Sequence, residues 1–191
     1  LFVGHTVHGM TAGDGKAIMT LKLTFLGGAG TVTGSKYWLS HKGGSLLVDC
    51  GLFQGYKFLR LRNWALLPLP AAELNAVLLT HAHLDHSGYL PLLVGQGFSG
   101  PVYCTEATRD LCEILLPDSG RLQEQDAEFA NRHGFSRHHP ALPLYTEEDA
   151  RRCLKLLRPV PFGRTLEVAG ASIQFLRAGH ILGASSIVVE A

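Results

Sequence analysis

Leu78-Leu79-Thr80-His81-Ala82-His83-Leu84-Asp85-His86-Ser87-Gly88 sets three histidines and a carboxylate within six residues, directly after the apolar run Ala76-Val77-Leu78-Leu79. An apolar run of this kind reads as a buried strand. His81 and His83 do not share a helix face, because positions two apart point in different directions. On extended backbone they point the same way. Asp85 and His86 continue into a turn, where they face a second point. Imidazole and carboxylate are the usual ligands of zinc and related ions. The stretch therefore reads as a strand that delivers a metal-binding loop, with room for two ions side by side. The competing reading is a solvated loop that happens to be rich in histidine.

Around this stretch the pattern alternates between strands and helices. Leu21 to Leu26 alternates apolar and polar residues, as a half-buried strand does. Tyr37–Ser40 and Ser45–Val48 flank Lys42-Gly43-Gly44, a hairpin signal. Asp85 or Ser87 is expected to cap a following helix, with Pro91 in its first turn. Residues 101–105 form a short strand, and Thr105 caps a helix to about Leu116. Pro117 then begins a loop, and a separate polar helix covers Leu122 to Arg132. Thr146-Glu147-Glu148-Asp149 starts another helix, its acidic residues favourable near the positive end of the helix dipole. Residues 166–168 and 172–176 are strands joined by Ala169-Gly170-Ala171, and residues 185–189 form one more. The fold class is a mixed α/β domain.

Length and composition agree. A chain of 191 residues, 46% hydrophobic and 17% charged, has enough apolar surface for one sizeable core. No apolar run reaches the roughly 20 residues of a membrane span, and no charged-then-apolar leader is visible. Cys50, Cys104, Cys112 and Cys153 form no CxxC pair and read as reduced thiols of a cytoplasmic protein. The net charge of +1 does not mark a nucleic-acid binder in bulk, although residues 56–64 are locally basic and aromatic through Lys57, Arg60 and Arg62. Arg132, His133, Arg137, His138 and His139 form a second basic cluster, by default a solvated face and alternatively an RNA contact. Gly27 to Gly34 fits neither GxGxxG nor a P-loop, so it reads as a tight turn. Residues 1–18, with His5 and His8, show no sustained period and are expected to form a poorly ordered extension; residues 19–191 hold the domain.

His81-Ala82-His83-Leu84-Asp85-His86 matches HxHxDH, the motif of the metallo-β-lactamase superfamily. Ala178-Gly179-His180-Ile181-Leu182-Gly183-Ala184 resembles the third-ligand motif of its β-CASP branch, the RNA- and DNA-processing nucleases. Gly27–Ser35 and Leu47-Val48-Asp49-Cys50-Gly51 resemble the first strands of that branch. The resemblance implies an αβ/βα sandwich, incomplete at the C-terminus, in a chain that is the N-terminal part of a longer one. It implies His81, His83 and His180 on one zinc ion, and Asp85 and His86 on a second. A bridging aspartate and a last histidine would complete the second site, but no aspartate follows His180 in this sequence. Asp85 would also orient the attacking hydroxide, as the catalytic carboxylate. Asp49 would hydrogen-bond the ligand loop from behind, as groups that orient metal-bound imidazoles do. By spacing alone, a lone histidine after a strand such as His180 is more often a structural or surface residue than a ligand.

The leading functional expectation is a zinc-dependent endonuclease for single-stranded RNA, weakly active or inactive at this length, with a homodimer left open. A thioester or other small-molecule hydrolase is the first alternative. A metal-binding chain that cleaves nothing is the second.

Overall fold

The computed structural model describes residues 6–8, 21–136 and 138–190. Seven strands form one sheet in chain order: β1 (Thr6–His8), β2 (Lys22–Gly27), β3 (Lys36–His41), β4 (Gly44–Val48), β5 (Ala76–Leu78), β6 (Val102–Cys104) and β7 (Leu157–Pro159). The first four pair antiparallel, and β4 to β7 pair parallel. Parallel neighbours need crossovers, and the helices supply them: α2 (Leu84–Ser87) and α3 (Leu90–Gly95) between β5 and β6, then α4 (Glu106–His133) and α5 (Glu147–Leu154) between β6 and β7. A short helix, α1 (Lys57–Arg60), runs into a 3-10 turn at Leu61–Trp64. The antiparallel strands β8 (Thr165–Val168), β9 (Ala171–Arg177) and β10 (Ser185–Glu190) form a second sheet.

Strand periodicity sorts the core into two layers. On the central strands Leu47, Val77 and Leu79 point into a cluster with Leu90, Leu93, Cys112, Leu116, Ala150 and Cys153 of the helices. Leu46, Ala76 and Leu78 point the other way, against Ala171, Ile173 and Phe175 of β9. Both faces of β4 and β5 are thus buried, which is why residues 76–79 read as a continuous apolar run and not an alternation. The chain is a mixed α/β fold with helices on one face of the large sheet and the small sheet on the other.

Two local expectations are corrected. Residues 106–133 form one helix of 28 residues, not two helices broken at Pro117. A proline inside a helix costs about 3 kcal/mol through its missing N–H and its clash with the preceding turn. Tertiary packing offsets this. Leu116 and Pro117 are buried, Tyr145 donates to Ser119 Oγ at 2.8 Å, and the amides of Leu144 and Glu147 donate to Gln123 and Glu124. Neither Asp85 nor Ser87 caps the helix that carries Pro91. Tyr89 occupies its N-cap without a side-chain bond, while Ser87 Oγ donates back to the carbonyls of Ala82 and His83. Thr105 caps α4, and Thr146 with Asp149 forms a capping box on α5. The expected disordered segment 1–18 lies outside the described residues except for Thr6–His8, which pair with β2.

Candidate metal centre

The parallel strands end on one side of the sheet, where open α/β sheets gather ligands. His81 follows β5, His83 sits at the N-cap of α2, and Asp85 and His86 lie within α2. His180 stands in the turn between β9 and β10. The fold brings all five together. The His180 ring centroid is 4.7 Å from that of His81 and 4.9 Å from that of His83. One nitrogen from each of His81, His83 and His180 lies within 4.8 Å of the others, a set able to hold a metal ion. Asp85 Oδ2 lies 3.6 Å from His86 Nε2 on the adjoining side, and the His86 ring is 4.0 Å from that of His81.

The state of His81 tests whether the site suits a metal. Its Nδ1 bonds Thr80 Oγ1 at 2.9 Å, and its Nε2 is buried with no hydrogen-bond partner. A buried polar atom left unpaired is costly, of order 1–3 kcal/mol, unless something absent from the protein atoms binds it. Burial, and after it the His86, His83 and His180 rings, pushes the His81 pKa down to about 4. The imidazole is therefore neutral across the ordinary pH range, the form that ligates metals. The residues fit the ion.

Asp49 supports the loop from beneath. It follows β4 with a left-handed backbone (φ 57°) and is fully buried. Its Oδ1 accepts from the Thr80 amide at 2.8 Å, both of its carboxylate oxygens lie 2.9 Å from Thr80 Oγ1, and Oδ2 lies 2.7 Å from His86 Nδ1. Burial opposes a proton on His86, but the bond to Asp49 and the charges of Asp49 and Asp85 outweigh it and raise its pKa. With Nδ1 engaged, His86 turns Nε2 toward Asp85. Behind the loop, the amides of Cys50 and Leu52 donate to the carbonyls of His86 and Leu84 at 2.7 and 2.8 Å. Gly51 permits this approach: a Cβ there would lie 1.6 Å from the Asp85 carbonyl oxygen.

His180 is held from a distance. Thr105 and Thr108, in the first turn of α4, both donate their hydroxyls to the Gly183 carbonyl, at 2.7 and 3.0 Å. Ser185 gives its amide and hydroxyl to the Thr80 carbonyl, which ties the start of β10 to the ligand loop. Thr80, Thr105, Thr108 and Ser185 were not singled out as site residues by the sequence. Thr80 stood beside the motif; the others act on partners 75 to 105 positions away, which spacing does not reveal. Cysteine chemistry is excluded as the source of a nucleophile among these residues. Burial pushes the Cys50 and Cys112 thiols up to about 12 and raises those of Cys104 and Cys153 as well, so none is a thiolate near neutrality.

A family model described as the metallo-beta-lactamase superfamily matches residues 29–166. The chain belongs to this superfamily. A ribonuclease of Thermus thermophilus is 37% identical over 170 residues, covering 89% of this chain and 35% of that protein. The transcription termination factor FttA of Methanocaldococcus jannaschii is 32% identical over 166 residues, covering 86% and 24%. The cleavage and polyadenylation specificity factor subunit 3-I of Arabidopsis thaliana is 28% identical over 175 residues, covering 89% and 23%. The chain thus spans a quarter to a third of these relatives. Among solved structures, a subclass B3 metallo-beta-lactamase from a soil metagenome superposes with a TM-score of 0.52 at 16% identity, over 87% of this chain and 54% of that one. That likeness concerns the fold alone. No helix among the described residues is long and apolar enough to cross a membrane.

Proposed function

We propose that this chain carries the metal centre of a zinc-dependent hydrolase that cleaves RNA phosphodiester bonds, of the β-CASP type. The observation that carries the reading is the trio His81, His83 and His180, three imidazole nitrogens within 4.8 Å around a buried, unpartnered His81 Nε2. The names of the relatives supply the substrate class: one is a ribonuclease, and another is a subunit of a cleavage and polyadenylation factor. Two divalent ions in such a site supply hydroxide at neutral pH and neutralise charge on the phosphate oxygens.

The protein's own part is to hold and orient. His81, His83 and His180 ligate the first zinc, and Asp85 with His86 the second. Asp49 fixes the His86 ring, so that Nε2 is the ligating nitrogen. Asp85 orients the attacking oxygen. The second position has only these two ligands among the described residues, so one ion binds tightly and the other weakly, and cleavage by this chain is slow.

Cobalt(II) titration tests the ligand set. Tight binding of one ion, lost in His83→Ala, is expected. Incubation of the metal-loaded chain with labelled single-stranded RNA tests the chemistry. Metal-dependent products absent in Asp85→Asn support the reading. Thioester hydrolysis with no RNA cleavage would move it to small-molecule substrates.

A further inference from the structure

The segment that follows Asp49 leaves an unusual surface. Tyr56 and Phe58 are 76% and 66% exposed, and their rings stack on one another at 5.8 Å with planes 12° apart. Trp64 and Leu61 are each 58% exposed. Lys57 and Arg60 alternate with these rings along the chain. Lys57, Arg60, Leu61 and Trp64 border an open groove of about 730 Å³, whose wall also includes Leu84, the residue after His83 in the ligand loop; Tyr56 and Phe58 flank Lys57 in the same segment. Asp126 is the acidic residue along this groove, against the two cations. A second groove of about 800 Å³ shares Leu61 and Trp64 and continues past His138 and His139.

Soluble proteins rarely leave so many large rings exposed in one place without a partner. Two features choose the partner. Lysine is depleted at the centre of protein–protein interfaces, yet Lys57 lies among these rings. Cations interleaved with open aromatic faces are how proteins grip single strands without reading sequence, the rings stacking bases while the charges follow the backbone. The groove also reaches the ligand loop through Leu84. We infer that the face formed by residues 56–64 and 138–142 binds single-stranded RNA beside the metal centre, with Tyr56, Phe58 and Trp64 stacking bases and Lys57 and Arg60 contacting phosphates. This deepens the nuclease reading and rests on it for the choice of nucleic acid.

The test uses the 191-residue chain in chelator, so that cleavage does not enter. Anisotropy of a labelled oligouridine is followed for the parent, Tyr56→Ala with Phe58→Ala, Trp64→Ala, and Lys57→Gln with Arg60→Gln. Each loss of a stacking ring should weaken binding roughly 5- to 150-fold. The charge variant should also flatten the salt dependence, by about 0.7 in log–log slope for each phosphate that is no longer neutralised. A second measurement does not depend on variant folding: in Trp38→Phe, RNA should quench the fluorescence of Trp64. Parent-like affinity in all variants, no binding by the parent, or an unmoved Trp64 at saturating RNA overturns the inference. So does concentration-dependent self-association through this face, lost in the ring variants without change in RNA affinity. The two readings separate. Metal-dependent cleavage with unaffected variants sinks only the face; ring-dependent binding without cleavage under any metal sinks only the nuclease.

Discussion

Lys36 is fully buried in β3, and a neutral side chain of its length should hold that position better. Its ammonium lies 4.5 and 4.8 Å from the centres of the Phe53 and Tyr89 rings, with the Gly34 carbonyl oxygen at 3.5 Å. Burial is the main reason its pKa falls from 10.5 to about 8; Cys50 opposes the fall and Arg62 adds to it. Each pH unit of difference is about 1.4 kcal/mol, so the buried charge costs about 3 kcal/mol. The two ring faces return part of this, of order 1 kcal/mol each. Lys36→Met should therefore stabilise the fold by about 1–3 kcal/mol at pH 7, a rise of about 1 M in the urea midpoint. The sign with pH is fixed. Below pH 8 the lysine is charged folded and unfolded, and the whole penalty stands. From pH 8 to 10.5 the folded chain gives up the proton before the unfolded chain does, so stability gains from this group and the advantage of methionine shrinks. Above 10.5 it is gone. The buried cysteines titrate in both proteins and largely cancel in the difference. Urea unfolding of both proteins at pH 7 and pH 10 checks this. A methionine variant less stable than the parent at pH 7, or a difference that does not narrow toward pH 10, would refute the reasoning.

Asp49→Asn keeps a residue that tolerates the left-handed backbone but removes the charge that faces His86. Zinc affinity should fall 10- to 100-fold, with a stability loss of about 2 kcal/mol, read by competition titration and urea unfolding. Thr105→Val with Thr108→Val should release the Gly183 carbonyl, cost about 1 kcal/mol per bond, and weaken cobalt binding by the chain while helical circular dichroism is retained. Gly51→Ala drives a methyl into the Asp85 carbonyl. The chain should become insoluble or melt far lower, and an unchanged melting temperature would contradict the backbone packing described. Stripping metal with chelator should leave the melt cooperative, since the ligand loop is tied by backbone bonds and not by an ion.

Much of the frame was legible because it rests on local signals. The apolar run at residues 76–79, the hairpin turn at Lys42-Gly43-Gly44, the cap at Thr105 and the helix start at Thr146 each act over a few residues, and each appears where its chemistry places it. The motif residues stand together because a strand end and the turn after it are also local events. What escaped was settled across the fold. Pro117 looked like a helix end, but packing by residues 144–147 outweighs its cost. Residues 157–159 are too short a strand to carry a pattern, and their place beside β6 comes from α5. Lys36 gives no sign in the sequence of being buried, because a charged residue in an amphipathic strand normally takes the wet face.

Asp49 shows how a non-ligand can decide the chemistry of a site. A left-handed backbone at a residue other than glycine costs of order 1–3 kcal/mol, and nothing at the end of β4 requires it for sheet pairing. The turn does two things at once. It sends Cys50, Gly51 and Leu52 under the ligand loop, where their amides donate to the carbonyls of His86, Ser35 and Leu84. It also aims the carboxylate back at Thr80 and His86. Through Thr80 Oγ1 the same contact reaches Nδ1 of His81. One buried charge thus holds Nδ1 of two histidines five residues apart, and leaves Nε2 of His81 unpartnered and Nε2 of His86 facing Asp85. Their protonation is driven in opposite directions: His81, buried and crowded by imidazoles, is held neutral, while His86, bonded to the carboxylate, is drawn toward its charged form. An incoming cation would meet one ligand that needs no deprotonation and another whose proton Asp49 competes to keep. Burial and the neighbouring rings set the first condition, and the bond to Asp49 sets the second, before any metal arrives.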